Sequence, residues 1–75
     1  MSQATIDMTA TGRNIERLLK EKNISVSELT RSLGFSTTNA VYKWIRGETL
    51  PTLDNLVSLS VIIDVSIDEI IIKRI

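Results

Sequence analysis

Asn39, Lys43 and Arg46 recur at i, i+4 and i+7, so a helix through them would carry all three on one face. Thr38 and Tyr42 fall beside them on that face. These side chains are suited to hydrogen bonding rather than to proton transfer. An asparagine amide can engage N6 and N7 of adenine together, a lysine donates to O6 or N7 of guanine, and a threonine offers a hydroxyl or a methyl group. Each well-formed pair of that kind discriminates between bases by about 1–3 kcal/mol. The chain has no histidine and no cysteine. The commonest general base and the thiolate are therefore both missing, and no nucleophile–base pair can be assembled. Asp54, Asp68 and Glu69 stand at helix starts, where carboxylates favour the macrodipole, and do not make a metal or acid–base set. The reading is a binding protein, not an enzyme, with no cofactor and no metal.

The elements that would hold this face follow from periodicity and capping. Residues 1–10 show no sustained period and read as a flexible arm ahead of a domain over 11–75. A first helix is expected with Thr11 as its N-cap, carrying Ile15, Leu18, Leu19 and Lys22 at helical spacing and closing at Asn23 in a left-handed turn. Ser25-Val26-Ser27-Glu28 has the form of a capping box. It starts a second helix at Val26 that buries Leu29 and Leu33 and stops at Gly34. After a tight turn, Ser36 or Thr37 would cap a third helix with Val41, Trp44 and Ile45 inward, ending at Gly47. Thr52 caps a fourth helix bearing Leu53, Leu56, Val57 and Leu59, and Ser66-Ile67-Asp68-Glu69 opens a short fifth. Val61 to Val65 is β-branched but has no strand to pair with, so it is assigned to the end of the fourth helix and a connection. The fold class is all-α: a small five-helix bundle whose second and third helices form a helix-turn-helix. The isoleucines from Ile70 to Ile75 are too dense for all of them to face one small core.

A chain of 75 residues supports one domain with a modest core. Its formal net charge is zero, unlike the basic excess usual in nucleic-acid binders. The charge is nonetheless segregated. Arg13 to Arg46 holds seven bases against three acids, whereas Gly47 to Ile72 holds five acids and no base. One half is therefore positive and the other negative. No apolar run is long enough to span a membrane, and Asp7 without a basic flank argues against a secretory signal. The expected setting is cytoplasmic.

With these residues in order, the chain from Gly12 to Ile71, about four-fifths of it, resembles the Cro and lambda-type repressor helix-turn-helix domain, the XRE family. The resemblance rests on Asn23-Ile24-Ser25, on Leu33-Gly34-Phe35-Ser36, and on Val41-Tyr42-Lys43-Trp44-Ile45-Arg46-Gly47. It continues through Leu50-Pro51-Thr52-Leu53 to Val65-Ser66-Ile67-Asp68-Glu69-Ile70. It implies a five-helix protein that binds double-stranded operator DNA, usually as a homodimer on two half-sites. The family's base contacts correspond to Thr38, Asn39 and Lys43, with Thr37 at the helix start and Tyr42 alongside. Its phosphate contacts correspond to the start of the second helix at Ser25 and Val26 and to the loop after the third. Several positions depart from the family pattern. Val26 replaces a common glutamine, Glu48 and Thr49 occupy a loop that is often basic, Thr30 replaces a small alanine, and one extra residue separates Gly34 from Val41. Leu19 and Ile45 stand where the family often has an Arg–Glu pair, so both partners have become apolar together.

Two functions are consistent with this reading. One is a sequence-specific transcriptional regulator, a repressor in the first instance, whose DNA-binding residues are Thr37, Thr38, Asn39, Tyr42, Lys43, Arg46 and Ser25. The other is a protein-interaction module, such as an antitoxin or a complex subunit, favoured by the neutral charge, Val26 and Glu48. In that second reading an exposed C-terminal tail with Ile71, Ile72 and Ile75 would meet a protein partner. The same tail is also a candidate homodimer surface.

Overall fold

In a computed structural model, residues 4–75 are described. They form five helices in chain order: α1 (Met8–Glu21), α2 (Val26–Ser32), α3 (Asn39–Ile45), α4 (Leu53–Ile63) and α5 (Ile67–Ile70). A two-stranded antiparallel ribbon joins the chain ends, β1 (Thr5–Ile6) to β2 (Lys73–Arg74), with Thr5 opposite Arg74 and Ile6 opposite Lys73. The five-helix, all-α architecture is as expected; the ribbon is not.

Local chemistry accounts for most of the helix boundaries. Ser25 and Ser66 each close a reciprocal capping box, with Glu28 and Glu69 respectively, and Thr52 caps α4 by accepting from the Asn55 amide. Asn23 and Asp64 take the left-handed conformation at φ 56° and 62°. There the next amides, of Ile24 and Val65, return to the carbonyls of Leu19 and Ser60. Gly34 turns the chain between α2 and α3 at φ 78°, a region in which a side chain is strained. Thr30 is buried in α2, yet its hydroxyl donates to the Val26 carbonyl at 2.7 Å, so its burial leaves no polar atom unsatisfied.

The core is one cluster drawn from every helix: Ile15, Leu18 and Leu19 of α1, Leu29 of α2, Val41 and Trp44 of α3, Leu56, Leu59 and Ile63 of α4, and Ile70 of α5. Leu33, Phe35 and Ile45 pack against it. Phe35 meets Trp44 edge to face with ring centroids 5.9 Å apart, so the turn residue pins the helix that follows it. Leu19 is buried and Ile45 packs on the same cluster, in keeping with an ion pair replaced by apolar packing.

Three expectations are corrected. First, α1 begins at Met8 rather than after Thr11. Asp7 is its N-cap, accepting from the Ala10 amide at 3.0 Å. Thr11 is instead 1% exposed, and its hydroxyl accepts from the Ile72 amide at 3.0 Å. Second, the segment over 1–10 read as a flexible arm is structured from Thr5 onward, because β2 supplies its hydrogen-bond partners; residues 1–3 lie outside the described residues. The Asp7 amide also donates to the Ile72 carbonyl at 2.8 Å. Third, the tail is not one exposed isoleucine patch. Ile70 is fully buried, Ile71 packs on the core, and Ile72 is 37% exposed with its backbone bonded to Asp7 and Thr11. Only Ile75 projects freely. The continuous exposed apolar row lies on α4, where Leu53, Val57 and Val61 recur every fourth residue.

Candidate nucleic-acid interface

α3 is held from its inner side. Val41 and Trp44 are buried, and α1 passes so close to the end of α3 that a Cβ on Gly12 would run into the carbonyl oxygens of Trp44 and Ile45. Only a hydrogen fits there. α2 lies before α3 with its own N-terminus fastened by the Ser25 box. The start of α3 is looser. Thr38 stands at the N-cap position with no side-chain cap bond, and Thr37 Oγ1 accepts from the Asn39 amide only at 3.4 Å. The expected caps, Ser36 or Thr37, are thus displaced to Thr38, consistent with the extra residue between Gly34 and Val41.

The outer side of α3 faces solvent. Asn39 and Lys43 are exposed, Tyr42 is 44% exposed, Thr37 is exposed just ahead of the helix, and Thr38 is half-buried. Arg46 follows at the C-terminal end, where its guanidinium is ion-paired with Glu48. That hydrogen bond from Arg46 holds the Glu48 carboxyl below its ordinary range. Ser25 is exposed, but its hydroxyl is occupied by the Glu28 amide at 3.0 Å. The structure therefore brings Thr37, Asn39, Tyr42 and Lys43 onto one open surface. It leaves Arg46 partly neutralised by its neighbour and Ser25 committed to its own helix. Sequence reasoning flagged Glu48 as a departure from a basic loop without foreseeing its pairing with Arg46, although a separation of two residues permits it.

A short capped helix, a tight turn and a second helix with a buried apolar face and an open polar one define a helix-turn-helix of the DNA-binding regulator class. The chain belongs to the XRE-type helix-turn-helix family: a family model described as helix-turn-helix matches residues 15–70. Among solved structures, the fold is similar to the restriction-modification controller protein C.AhdI from Aeromonas hydrophila. The two superpose with a TM-score of 0.77 at 23% sequence identity, covering 85% of this chain and 96% of that one. No curated protein matches the sequence. No helix among the described residues is long and apolar enough to cross a membrane.

Proposed function

We propose that the protein is a sequence-specific DNA-binding transcriptional regulator that lays α3 in the major groove and reads base edges with Asn39 and Lys43. Thr37, Thr38 and Tyr42 flank these two, and Arg46 meets the phosphate backbone once released from Glu48. The observation that carries this reading is the division of α3. Its apolar side is consumed by the core, whereas its polar side is exposed and served by donors and acceptors that match base edges. α2 braces it, with its N-terminus fastened by the Ser25–Glu28 capping box.

We further propose repression by occlusion: a homodimer covers two half-sites about 34–36 Å apart and excludes polymerase from a promoter. The α4 row of Leu53, Val57 and Val61 supports the dimer better than the tail does, because it is exposed and continuous. Likeness to a controller protein supports a regulatory role. The cytoplasm is the compartment in which such a regulator would meet DNA.

The test is selection from a random duplex library at about 0.1 M salt, where weak surface attraction is screened, with an Asn39→Ala/Lys43→Ala variant in parallel. An enriched motif that this folded variant loses is the expected result. A wild-type protein that enriches nothing would overturn sequence reading and favour a protein-interaction module.

A further inference from the structure

A second basic surface lies outside α3. An open groove of about 590 Å³ runs between α1 and the C-terminal strand, and Arg13, Arg17 and Arg74 line it together with the single carboxylate of Asp7. Arg17 is ion-paired with Glu21 at 2.7 Å and Arg74 with Asp7, so three guanidinium groups meet two carboxylates and Arg13 keeps the groove net positive. In a chain of zero net charge, that concentration attracts anions locally.

The groove is built from ordered parts. Asn14 is 8% exposed and satisfies its amide fully: Nδ2 donates to the carbonyls of Glu69 and Ile70 at 2.6 and 2.9 Å. Its Oδ1 in turn accepts from Nε and Nη2 of Arg17 at 3.2 and 2.6 Å. A buried amide thus sets the plane of an exposed guanidinium, reducing the entropy lost when that group binds. Arg74 is exposed and is oriented by the half-buried Asp7 at 3.2 Å, an ion pair whose arginine side stays open to solvent. Arg13 has no ion pair among the described residues.

The position of the groove identifies its occupant. Thr9, on its wall, abuts Gly47, the residue directly after Arg46: a Cβ on Gly47 would come within 2.9 Å of the Thr9 Cα. This wall of the groove therefore lies beside the residue that follows Arg46 at the C-terminal end of α3. We infer that Arg13 and Arg74, with Arg17 behind them, bind phosphates of the DNA backbone flanking the site read by α3, extending the footprint without reading sequence. This inference rests on the DNA-binding reading of α3, and its test separates the two.

The experiment measures the salt dependence of binding to a duplex of about 30 base pairs carrying the selected motif, a length that includes flanking phosphates. Wild type is compared with Arg13→Gln/Arg74→Gln and with Asn39→Ala/Lys43→Ala, and thermal unfolding verifies that each variant is folded. Losing two phosphate contacts should make the slope of log K against log[salt] shallower by about 1.8 in the arginine variant, with the preferred motif unchanged. An unchanged slope in that variant, while the α3 variant loses its motif, would overturn the groove and leave the α3 reading intact. A lowered slope with no effect of the α3 substitutions would overturn that reading and leave the groove standing. Failure of wild type to bind any duplex would overturn both. Titration with inorganic pyrophosphate, followed by NMR at the arginine Nε–H signals, provides the last arm. Saturable shifts there, without any change in the DNA slope, would reassign the groove to a small free anion and overturn its role on DNA.

Discussion

α2 and α3 are both seven residues long and stand side by side in the motif, yet they are secured in opposite ways. α2 carries its own start signal: Ser25 and Glu28 satisfy each other's backbone amides within a span of four residues. α3 has no side-chain cap and takes its position from Trp44 and Val41 in the core, from Phe35 against the Trp44 ring, and from the approach of α1 at Gly12. Short helices gain most of their stability from tertiary packing, and α3 depends on it almost entirely. The difference suits the proposed roles. A bracing helix tolerates local fastening, whereas a reading helix must keep its outer face and N-terminal turn clear of intramolecular partners.

That contrast can be broken or sharpened by substitution. Trp44→Ala should have the largest effect, about 3–5 kcal/mol of lost stability in denaturant unfolding, since it removes both the core anchor of α3 and the partner of Phe35. A loss below about 1 kcal/mol would contradict the dependence of α3 on packing. Gly12→Ala should follow at about 1–3 kcal/mol, because the new methyl must push α1 from the Trp44 and Ile45 carbonyls. An unchanged melting curve would show that the two helices do not approach as described.

The caps give the sharpest pairwise comparison. Ser25→Ala should cost about 1 kcal/mol, whereas Thr38→Ala should stay within about 0.5 kcal/mol, as it breaks no cap bond. Equal losses at the two positions would erase the distinction between the helices. On the binding side, Asn39→Ala should lower affinity by about 1–3 kcal/mol at one base position while leaving unfolding unchanged. A uniform loss across all sequences would assign Asn39 to backbone contact instead.

The smallest expected effect is a pH dependence at Asp7. The Ala10 amide, and then Arg74, hold its carboxyl below the ordinary value, so its folded-state pKa is depressed. Its contribution to stability is therefore fully present above the unfolded pKa near 3.8 and is lost as pH falls through the folded value. Asp7→Asn should flatten the acid limb of the stability profile slightly. An identical acid limb in wild type and variant would remove Asp7 from the linkage.

The parts of the fold legible in the sequence are those settled within a few residues. Both capping boxes, the Thr52 cap, the turn at Gly34 and the inward positions Val41 and Trp44 could be read directly, because a cap or a helical face is defined over three or four positions. The polar face of α3 was legible for the same reason: once its inner side was assigned, Asn39 and Lys43 had to lie outside. The start of α1 was not. Asp7 and Thr11 both satisfy local capping rules, and the choice depends on Ile72 and Arg74 at the far end of the chain.

What the sequence by itself determined, then, is the number and order of the helices and the inward positions Val41 and Trp44 of α3, together with the chemistry exposed on α3. On α4 it grouped Leu53 and Val57 with Leu56 and Leu59, whereas the fold exposes the first two and buries Ile63. Only the tertiary structure decided the remainder. It turned Thr11 and Asn14 inward to satisfy backbone groups 55 to 61 residues away, converted an apparent N-terminal arm into half of a ribbon, and moved the exposed apolar surface from the tail to α4. It also gathered Arg13, Arg17 and Arg74 into one groove. The physical reason is range. Capping and amphipathicity act over a single helical turn, whereas the satisfaction of a buried amide or hydroxyl depends on whatever part of the chain the fold brings beside it.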